Sequence, residues 1–197
     1  MTENGWMQAA DIHAGDRVAV MGRLLSDVQR EIVSGSLMGD GSLCGGRSKH
    51  LAITHSTKQR DYALWKSTAL QSLGSTCKDS TASDGDGGSH PIVRMRTDAI
   101  PAMNDFAEMY GQDGKQPSMK FLESLGDLAV AIWLMDDGSI RADYRWPSRP
   151  TIQLYTCAFL NQESFVAFFE RRFNVTPKVR RPHRNPYLAF GADDSEK

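Results

Sequence analysis

The sequence predicts an α+β protein built as a pseudo-twofold pair of similar halves, and three observations support this class. A seven-residue segment occurs twice, as LMGDGSL at residues 37–43 and as LMDDGSI at residues 134–140, with five of seven positions identical. The segments around the two copies follow the same order of helix, strands, helix and strands. A chain of 197 residues is long enough for two such halves with a full core.

Each copy of the repeated segment ends an apolar, small-residue stretch that predicts a helix. These stretches are residues 32–36 and 128–133. Glu31 and Asp127 are placed in the first turns, where the helix dipole favours acids. Small residues on one face of each helix let two helix backbones approach closely, so the two helices are expected to pack on each other.

Such packing would bring Asp40 and Asp137, the last acids of the two copies, side by side. Two carboxylates forced together repel each other unless a cation neutralises them. Mg²⁺ is the economical choice, because it prefers carboxylate, carbonyl and water oxygens, and bound between basic strands it suits phosphodiester hydrolysis. A single Asp-Gly would be explained more simply as a tight turn ending a helix, but two matched copies favour the metal site.

The elements after each motif also correspond. An alternating segment predicts a strand, an amphipathic segment predicts a helix, and a proline opens a further strand. In the first half these elements are residues 51–55, a helix after Ser56 and Thr57, and residues 91–98; in the second they are residues 152–156, a helix capped near Asn161, and residues 186–193.

The first half contains two further segments. Residues 102–110 predict another helix, and residues 78–90, rich in Ser, Gly and Asp, predict a mobile hairpin loop. The second half has no counterpart of residues 99–126. We therefore expect the chain to be a fragment or a natural truncation.

Charge is segregated along the chain. The 23 basic and 24 acidic side chains give a net charge of −1, which argues against a general polycation. Residues 41–60 nevertheless hold four cations and residues 171–192 hold six, and neither segment contains an acid. Two basic segments on a neutral chain predict a polyanion-binding face; solvated strands are the alternative.

Other sequence features exclude some classes of protein. No apolar run approaches the ~18 residues of a membrane span, and the N-terminus lacks a signal-peptide pattern. The three cysteines are widely spaced, which argues against a disulfide framework or a structural zinc site. We therefore expect a cytoplasmic protein with access to DNA and no membrane partner.

The two motifs resemble those of the LAGLIDADG homing endonucleases in their two-motif, monomeric form. The motif residues are VSGSLMGDG at 33–41 and VAIWLMDDG at 130–138, and the resemblance covers about residues 26–193. It implies two αββαββα halves, 26–126 and 127–197, each with a saddle-shaped antiparallel sheet over double-stranded DNA and helices on the opposite face. It also implies a sequence-specific endonuclease that makes a double-strand break at a long target site.

The resemblance assigns metal binding to Asp40 and Asp137, with the backbone carbonyls of Gly39 and Asp136 completing the coordination. Mg²⁺ is the expected metal, and Mn²⁺ or Ca²⁺ can substitute for binding. The family usually adds a basic residue before the next motif helix, for which Lys115 is the best match; a solvated loop lysine is the alternative. The partner of Lys115 in the second half would lie beyond the last residue, which leaves the activity of this chain open.

Side chains on the concave face of each sheet are expected to enter the major groove of DNA. Alternation places Arg94 and Arg96 on one face of a strand, with Val93 and Met95 on the other. His50 and His55 could bind metal, but a groove-facing or surface role is favoured. The candidates for DNA binding are Arg47, Lys49, His50, Thr54, Arg94 and Arg96 in the first half, and Arg141, Arg145, Arg149, Gln153, Tyr155, Lys178, Arg180 and Arg184 in the second.

Residues 6–20 resemble the end of an intein's amino-terminal splicing region, where it joins an endonuclease insert. This predicts that residues 1–25 are a remnant of such a region and that the endonuclease serves the homing of an intein; an ordinary strand after a Gly-Asp turn is the alternative. Two other functions stay open: a non-catalytic DNA-binding protein of the same fold and, less favoured, an RNA maturase.

Overall fold

Two similar α+β halves pack side by side in the computed structural model of the chain. The structure describes residues 8–11, 13–14, 24–83, 85, 87–111, 114–143, 146–159, 161–182 and 185–191. In the first half the elements are α1 (Asp27–Met38), β1 (Gly41–Cys44), β2 (His50–Ser56), α2 (Arg60–Ala69), β3 (Thr76–Ser83), β4 (Ser89–Arg96), a 3-10 helix (Pro101–Met109), β5 (Tyr110–Gly111), β6 (Gly114–Lys115) and α3 (Met119–Glu123). In the second half they are α4 (Asp127–Asp137), β7 (Gly138–Asp143), β8 (Trp146–Tyr155), α5 (Glu163–Phe173), β9 (Lys178–Arg180) and β10 (Tyr187–Phe190).

The two four-stranded sheets share one topology. Their strand orders are β1-β2-β4-β3 and β7-β8-β10-β9, and all neighbouring strands are antiparallel. The glycine after each motif pairs at an equivalent position, Gly41 with Ile53 and Gly138 with Leu154. The predicted pair of α+β halves is therefore confirmed.

Helices α1 and α4 form the contact between the halves. A Cβ atom on Gly35 would lie 2.4 Å from the carbonyl oxygen of Ala129, so the two backbones touch at this point. Ile32, Val33, Leu37, Ile132 and Trp133 fill the core around this contact, each with at most 2% of its surface exposed. The predicted close approach of two small-residue faces is confirmed.

The start of α1 differs from the prediction. Ser26 caps the helix and forms a reciprocal capping box with Gln29, so the helix begins at Asp27 and Glu31 lies beyond its first turn. The Glu31 carboxylate instead accepts hydrogen bonds from Gly126 N and Ala129 N, both at 2.9 Å. Glu31 thus caps the first turn of α4, in the other half of the molecule.

Two other predicted elements differ in type. Residues 101–109 form a 3-10 helix, not an α-helix, and their buried side chains, Met103, Phe106 and Met109, recur every three residues, the period of a 3-10 helix. The hairpin loop predicted at residues 78–90 is a hairpin, but its loop is shorter than expected, because β3 runs to Ser83 and pairs with β4 from Ser89 onward. Strand β3 is polar because it is an exposed edge strand.

The predicted boundaries of the N-terminal remnant at residues 1–25 stay a prediction. Ala9–Asp11 forms a short 3-10 turn, and residues 1–7, 12 and 15–23 lie outside the described part of the chain. Among the described helices, none combines the length and the apolar character needed to span a membrane.

Candidate functional site

The ends of α1 and α4 meet at the foot of the two sheets. A Cβ atom on Gly39 would lie 2.3 Å from Cβ of Asp136, so only glycine fits this position. The backbone N–H of Asp40 approaches Asp136 Oδ2 at 3.4 Å. The two Asp-Gly helix ends are therefore adjacent, and three carboxyl groups (Asp40, Asp136 and Asp137) gather around them.

Asp136 forms a buried ion pair that the sequence did not predict. Lys66 Nζ, on α2, donates to both carboxylate oxygens of Asp136 at 2.8 and 2.9 Å, and neither side chain has any exposed surface. The ammonium also lies 4.3 Å from the centre of the Tyr62 ring. Burial raises the pKa of Asp136 and lowers the pKa of Lys66, while their mutual attraction opposes both shifts. Burial, reinforced by Asp136, also raises the pKa of Tyr62.

Lys66 carries a signal that could have identified it. The buried residues of α2 and its end are Ala63, Lys66, Ser67 and Leu70, which follow the i, i+3, i+4, i+7 spacing of a core-facing stripe. A lysine on such a stripe must meet a buried acid, because an unpaired ammonium is rarely buried.

His55 is buried, so the favoured groove-facing or surface role was wrong. It follows Leu51 and Ile53 on the helix-facing side of β2 and is 3% exposed. Its Nδ1 lies 3.0 Å from Asp40 Oδ2, and its Nε2 lies 3.5 Å from Lys66 Nζ. Nδ1 nevertheless has no hydrogen-bond partner among the described residues. The contact with Asp40 is therefore short but lacks the alignment of a hydrogen bond.

Lys115 also reaches the two helix ends. It lies on β6 and is partly buried, and its Nζ donates to the Gly39 carbonyl oxygen at 2.6 Å. Burial lowers the pKa of Lys115, and Asp137 and Asp40 oppose this shift. The alternative of a solvated loop lysine is therefore not what the structure contains.

Asp137 is poorly neutralised by its neighbours. Burial and then the nearby Asp40 carboxylate raise its pKa to about 7, although Lys115 opposes the shift. When all are ionised, the three carboxylates outnumber the two ammonium groups of Lys66 and Lys115. The site therefore attracts a further cation. Potential ligand atoms of Asp40, His55 and Asp136 lie within 4.8 Å of one another.

The outer face of the first sheet is polar and basic. Val93 and Met95 face the core and Arg94 and Arg96 face outward, as predicted. Arg94 lies between its cross-strand neighbours Thr54 and Lys78. An open groove of about 610 Å³ on this face is lined by His50, Thr54, Thr76, Lys78, Arg94 and Arg96, among others. Lys78 was missed because its strand was assigned to a loop.

Arg47 and Lys49 lie on the turn before β2. Arg47 is exposed, and its carbonyl accepts from Asn104 Nδ2. Lys49 Nζ donates to the Gly45 carbonyl at 2.8 Å, so this ammonium is held within its own turn. The two residues therefore lie at one end of the first sheet, on the turn that joins β1 and β2.

The second sheet presents an equivalent outer face. Gln153 pairs with Ser139 and Ala189, and the rings of Tyr155 and Tyr187 lie 5.7 Å apart. Tyr187 was not among the predicted residues, although it shares the face of Tyr155. Arg141, Lys178 and Arg180 are exposed. Arg145 and Arg184 lie outside the described residues, and Arg149 lies on β8 with its side chain outside the described part.

Part of the basic segment 171–192 belongs to a different surface. Arg171 on α5 pairs with Glu123 at 2.9 Å, and Arg172 pairs with Asp127 at 2.7 Å. These cations bind acids of α3 and α4 on the helical side of the molecule. The net basic charge of the segment therefore overstates what the sheet presents.

Comparisons with known proteins agree with this architecture. A sequence profile described as the LAGLIDADG DNA endonuclease family matches residues 30–197. The chain is 38% identical over 148 residues to Protein RecA of Mycobacterium shimoidei, a match that covers 70% of this chain and 32% of the relative. The match to Protein RecA of Mycobacterium leprae (strain TN) is 34% identical over 146 residues and covers 70% and 19%. The chain thus spans a third or less of the length of these relatives.

Solved structures show the same fold. The homing endonuclease I-WcaI bound to its DNA recognition sequence superposes with a TM-score of 0.77 at 17% identity, covering 88% of this chain and 79% of that one. Full-length DUF199/WhiA from Thermatoga maritima superposes with a TM-score of 0.53 at 10% identity, covering 88% and 55%. At these identities the likeness establishes the fold alone.

Proposed function

The chain belongs to the LAGLIDADG DNA endonuclease family, and from this premise we propose that it is a sequence-specific, metal-dependent enzyme that cuts both strands of a long DNA site as a monomer. The observation that carries the proposal is the meeting of two Asp-Gly helix ends, each of which leads directly into the first strand of its own sheet. The carboxylates lie where the two halves join, and each sheet carries exposed lysine and arginine side chains on its strands. Such an arrangement suits a duplex whose two strands are cut near a pseudo-twofold axis.

The donor set fits a divalent cation. Asp137 has a pKa near 7 because it is buried beside Asp40, and a cation would relieve this repulsion. Asp40 and Asp137 would hold the metal, with the carbonyls of Gly39 and Asp136 as further oxygen ligands; this ligand chemistry suits Mg²⁺. When bound, Mg²⁺ activates water and stabilises the leaving oxygen of a phosphodiester.

Lys115 and Lys66 have different proposed tasks. Lys115 Nζ lies 2.6 Å from the Gly39 carbonyl and would bring positive charge to a phosphate placed at the helix ends. Lys66 neutralises the Asp136 carboxylate, which keeps this helix end ordered beside Asp40. Lys115 is thus the candidate for direct contact with DNA, and Lys66 is a structural counter-ion.

The outer sheet faces are proposed to read the major groove. Arg94, Arg96, Lys178 and Arg180 are exposed on these faces, and arginine and lysine suit guanine. Gln153 suits adenine, and phosphate contacts by the remaining cations would fix the register of the protein. Binding should therefore weaken steeply with added salt.

An intein origin is the proposed biological context. The matches to proteins named RecA cover only 19–33% of their length, which is consistent with a nuclease segment carried within a longer host chain. In this setting the enzyme would act inside the cell on an uninterrupted copy of its host gene. The gene for a RecA protein without an insertion is the natural first substrate.

A plasmid-cleavage assay tests the proposal. The protein is incubated with Mg²⁺ and a plasmid carrying that gene, and linear product is measured for the wild type, Asp40→Asn, Asp137→Asn and the surface control Asp105→Asn. We expect cleavage by the wild type and the control, and loss of cleavage but not of DNA binding in the two site variants.

Other results would identify the alternatives. DNA binding without cleavage by the wild type would favour the non-catalytic protein, and preference for intron RNA over duplex DNA would favour the maturase. Undiminished cleavage by either site variant would refute the assignment of the metal ligands.

A further inference from the structure

His55 is a buried histidine whose ring nitrogen lies against the Asp40 carboxylate. Its Nδ1 is 3.0 Å from Asp40 Oδ2 yet has no hydrogen-bond partner among the described residues. Only 3% of His55 is exposed, so water does not solvate the ring freely. A buried polar atom without a partner is unfavourable and calls for an explanation.

The relation between the two atoms is that of neighbouring ligands of one cation. With metal–ligand bonds of ~2.1 Å, adjacent ligands of a six-coordinate cation are ~3.0 Å apart. Each lone pair then points at the cation, about 45° away from the other ligand atom, as follows from that right-angled geometry. A short N–O separation without hydrogen-bond alignment is therefore the expected geometry for a chelating pair.

The neighbouring charges leave Asp40 available for this task. Lys66 donates to both oxygens of Asp136 at 2.8 and 2.9 Å, which neutralises that carboxylate. A cation bound to Nδ1 requires the imidazole proton on Nε2, so Nε2 then does not accept a hydrogen bond from the Lys66 ammonium; the two nitrogens are 3.5 Å apart, farther than either bond of Lys66 to Asp136. Asp40 is one-third exposed, so a cation can reach it from the side that faces solvent.

The second half lacks this nitrogen. Thr156 follows Leu154 as His55 follows Ile53, and these two positions are equivalent in the sheets. Thr156 is fully buried, and its hydroxyl bonds Gln162 and the Pro186 carbonyl. The two motif copies therefore share their acids, but the strand position that holds His55 in the first half holds Thr156 in the second.

We propose that His55 Nδ1 and the Asp40 carboxylate bind one divalent cation together, so that the site in the first half has mixed nitrogen and oxygen ligands and prefers Mn²⁺ to Mg²⁺. The inference rests on the proposed function, because it takes Asp40 as a metal ligand. Imidazole suits transition-metal ions, whereas Mg²⁺ prefers oxygen ligands. One such nitrogen-containing site is expected per chain.

Electron spin-echo spectroscopy of Mn²⁺ bound to the full chain detects a directly bonded nitrogen. We expect a ¹⁴N modulation in the wild type that changes when the histidines are labelled with ¹⁵N, and this measurement needs no variant. The modulation should disappear in His55→Gln and persist in His90→Gln, which alters an exposed histidine on β4.

Titrations with Mn²⁺ and with Mg²⁺ give a second readout. His55→Gln should weaken Mn²⁺ binding by about tenfold or more and Mg²⁺ binding by less than about threefold, because only the softer ion gains from the imidazole. Circular dichroism would verify that each variant is folded.

Two results would overturn the inference, and only the second would also overturn the proposed metal site. Bound Mn²⁺ that is lost in Asp40→Asn but shows no histidine nitrogen would leave the metal site at Asp40 and make His55 a positioning residue. Failure to bind Mn²⁺, or binding that Asp40→Asn leaves unchanged, would refute both the His55 ligand and the metal site in the proposed function.

Discussion

Replacing Lys66 with methionine should destabilise the protein through the carboxylate it leaves behind. Lys66 and Asp136 have no exposed side-chain surface and form two short hydrogen bonds. Methionine retains the length and the packing of the lysine stem, so the main loss is the charge partner. Removing one partner of a buried pair costs about 3–5 kcal/mol.

The magnitude should depend on pH, because Asp136 can escape its unpaired charge by taking up a proton. Burial already raises the pKa of Asp136, and without Lys66 the rise would be larger. Protonating an aspartate with an unfolded-state pKa of about 3.9 costs about 1.36 kcal/mol per pH unit above that value. The destabilisation is therefore expected to be about 4 kcal/mol at pH 7 and about 1.5 kcal/mol at pH 5.

The raised pKa of Asp136 determines whether Lys66→Met loses stability in acid or in base. A carboxyl group with a raised folded-state pKa contributes stability that is present below the unfolded-state pKa and is lost as the pH rises towards the folded-state value. Lys66→Met should thus be most stable, relative to the wild type, in acid. Adding Asp136→Asn should remove this extra pH dependence, because the buried group no longer ionises.

Urea unfolding followed by circular dichroism at pH 5 and pH 7 measures these differences for the wild type, Lys66→Met and the double variant. A destabilisation below about 1 kcal/mol at pH 7, the range of exposed ion pairs, or one that does not change with pH, would contradict the burial of this ion pair. Either result would mean that the pair is solvated.

Three further predictions concern the helix contact, the acid at its end and the sheet face. Gly35→Ala should lower stability by roughly 1–3 kcal/mol in thermal unfolding, because the new Cβ would lie 2.4 Å from the carbonyl oxygen of Ala129; unchanged stability would contradict the close approach. In metal-free protein, carbon NMR should show Asp137 titrating near pH 7, with its contribution to stability lost as the pH rises through that value; a midpoint near pH 4 would contradict its burial. Arg94→Ala should weaken binding to target DNA by about 1–3 kcal/mol in fluorescence anisotropy, whereas Arg171→Ala on the helical side should not; equal losses would contradict the assignment of the faces.

The sequence predicted those parts of the fold that repeat locally. Each motif copy is followed by two alternating strands with an amphipathic helix between them. These patterns can be recognised in the sequence without knowing which elements pack against each other. The outward faces of Arg94 and Arg96 followed from the same alternation. The errors came where local composition misled, as at residues 78–83, whose Ser and Thr form an edge strand instead of a loop.

Some residues of the candidate site could be predicted from local sequence patterns, and others could not. Asp40, Asp137 and Lys115 were found because motif and spacing mark them, and Lys115 does reach the helix ends through Gly39. His55 was misplaced to the surface, and Lys66 was missed entirely. Both lie at core-facing positions that the sequence periodicity indicates, but which carboxylate each one meets depends on the folded chain.

The repeat and the alternation in the sequence were enough to predict two similar halves, a motif helix that ends on Asp-Gly in each, and the shared outer face of Arg94 and Arg96. The pairing of the buried charges, in contrast, follows from the tertiary packing. Lys66 and Asp136 are separated by 70 residues, and Glu31 accepts a hydrogen bond from Gly126 N, at the start of a helix, across 95 residues. Contacts of this range arise from the packing of α1 on α4 and of α2 beneath the first sheet, and no local pattern encodes them, because a buried charge is tolerated only where a distant partner arrives.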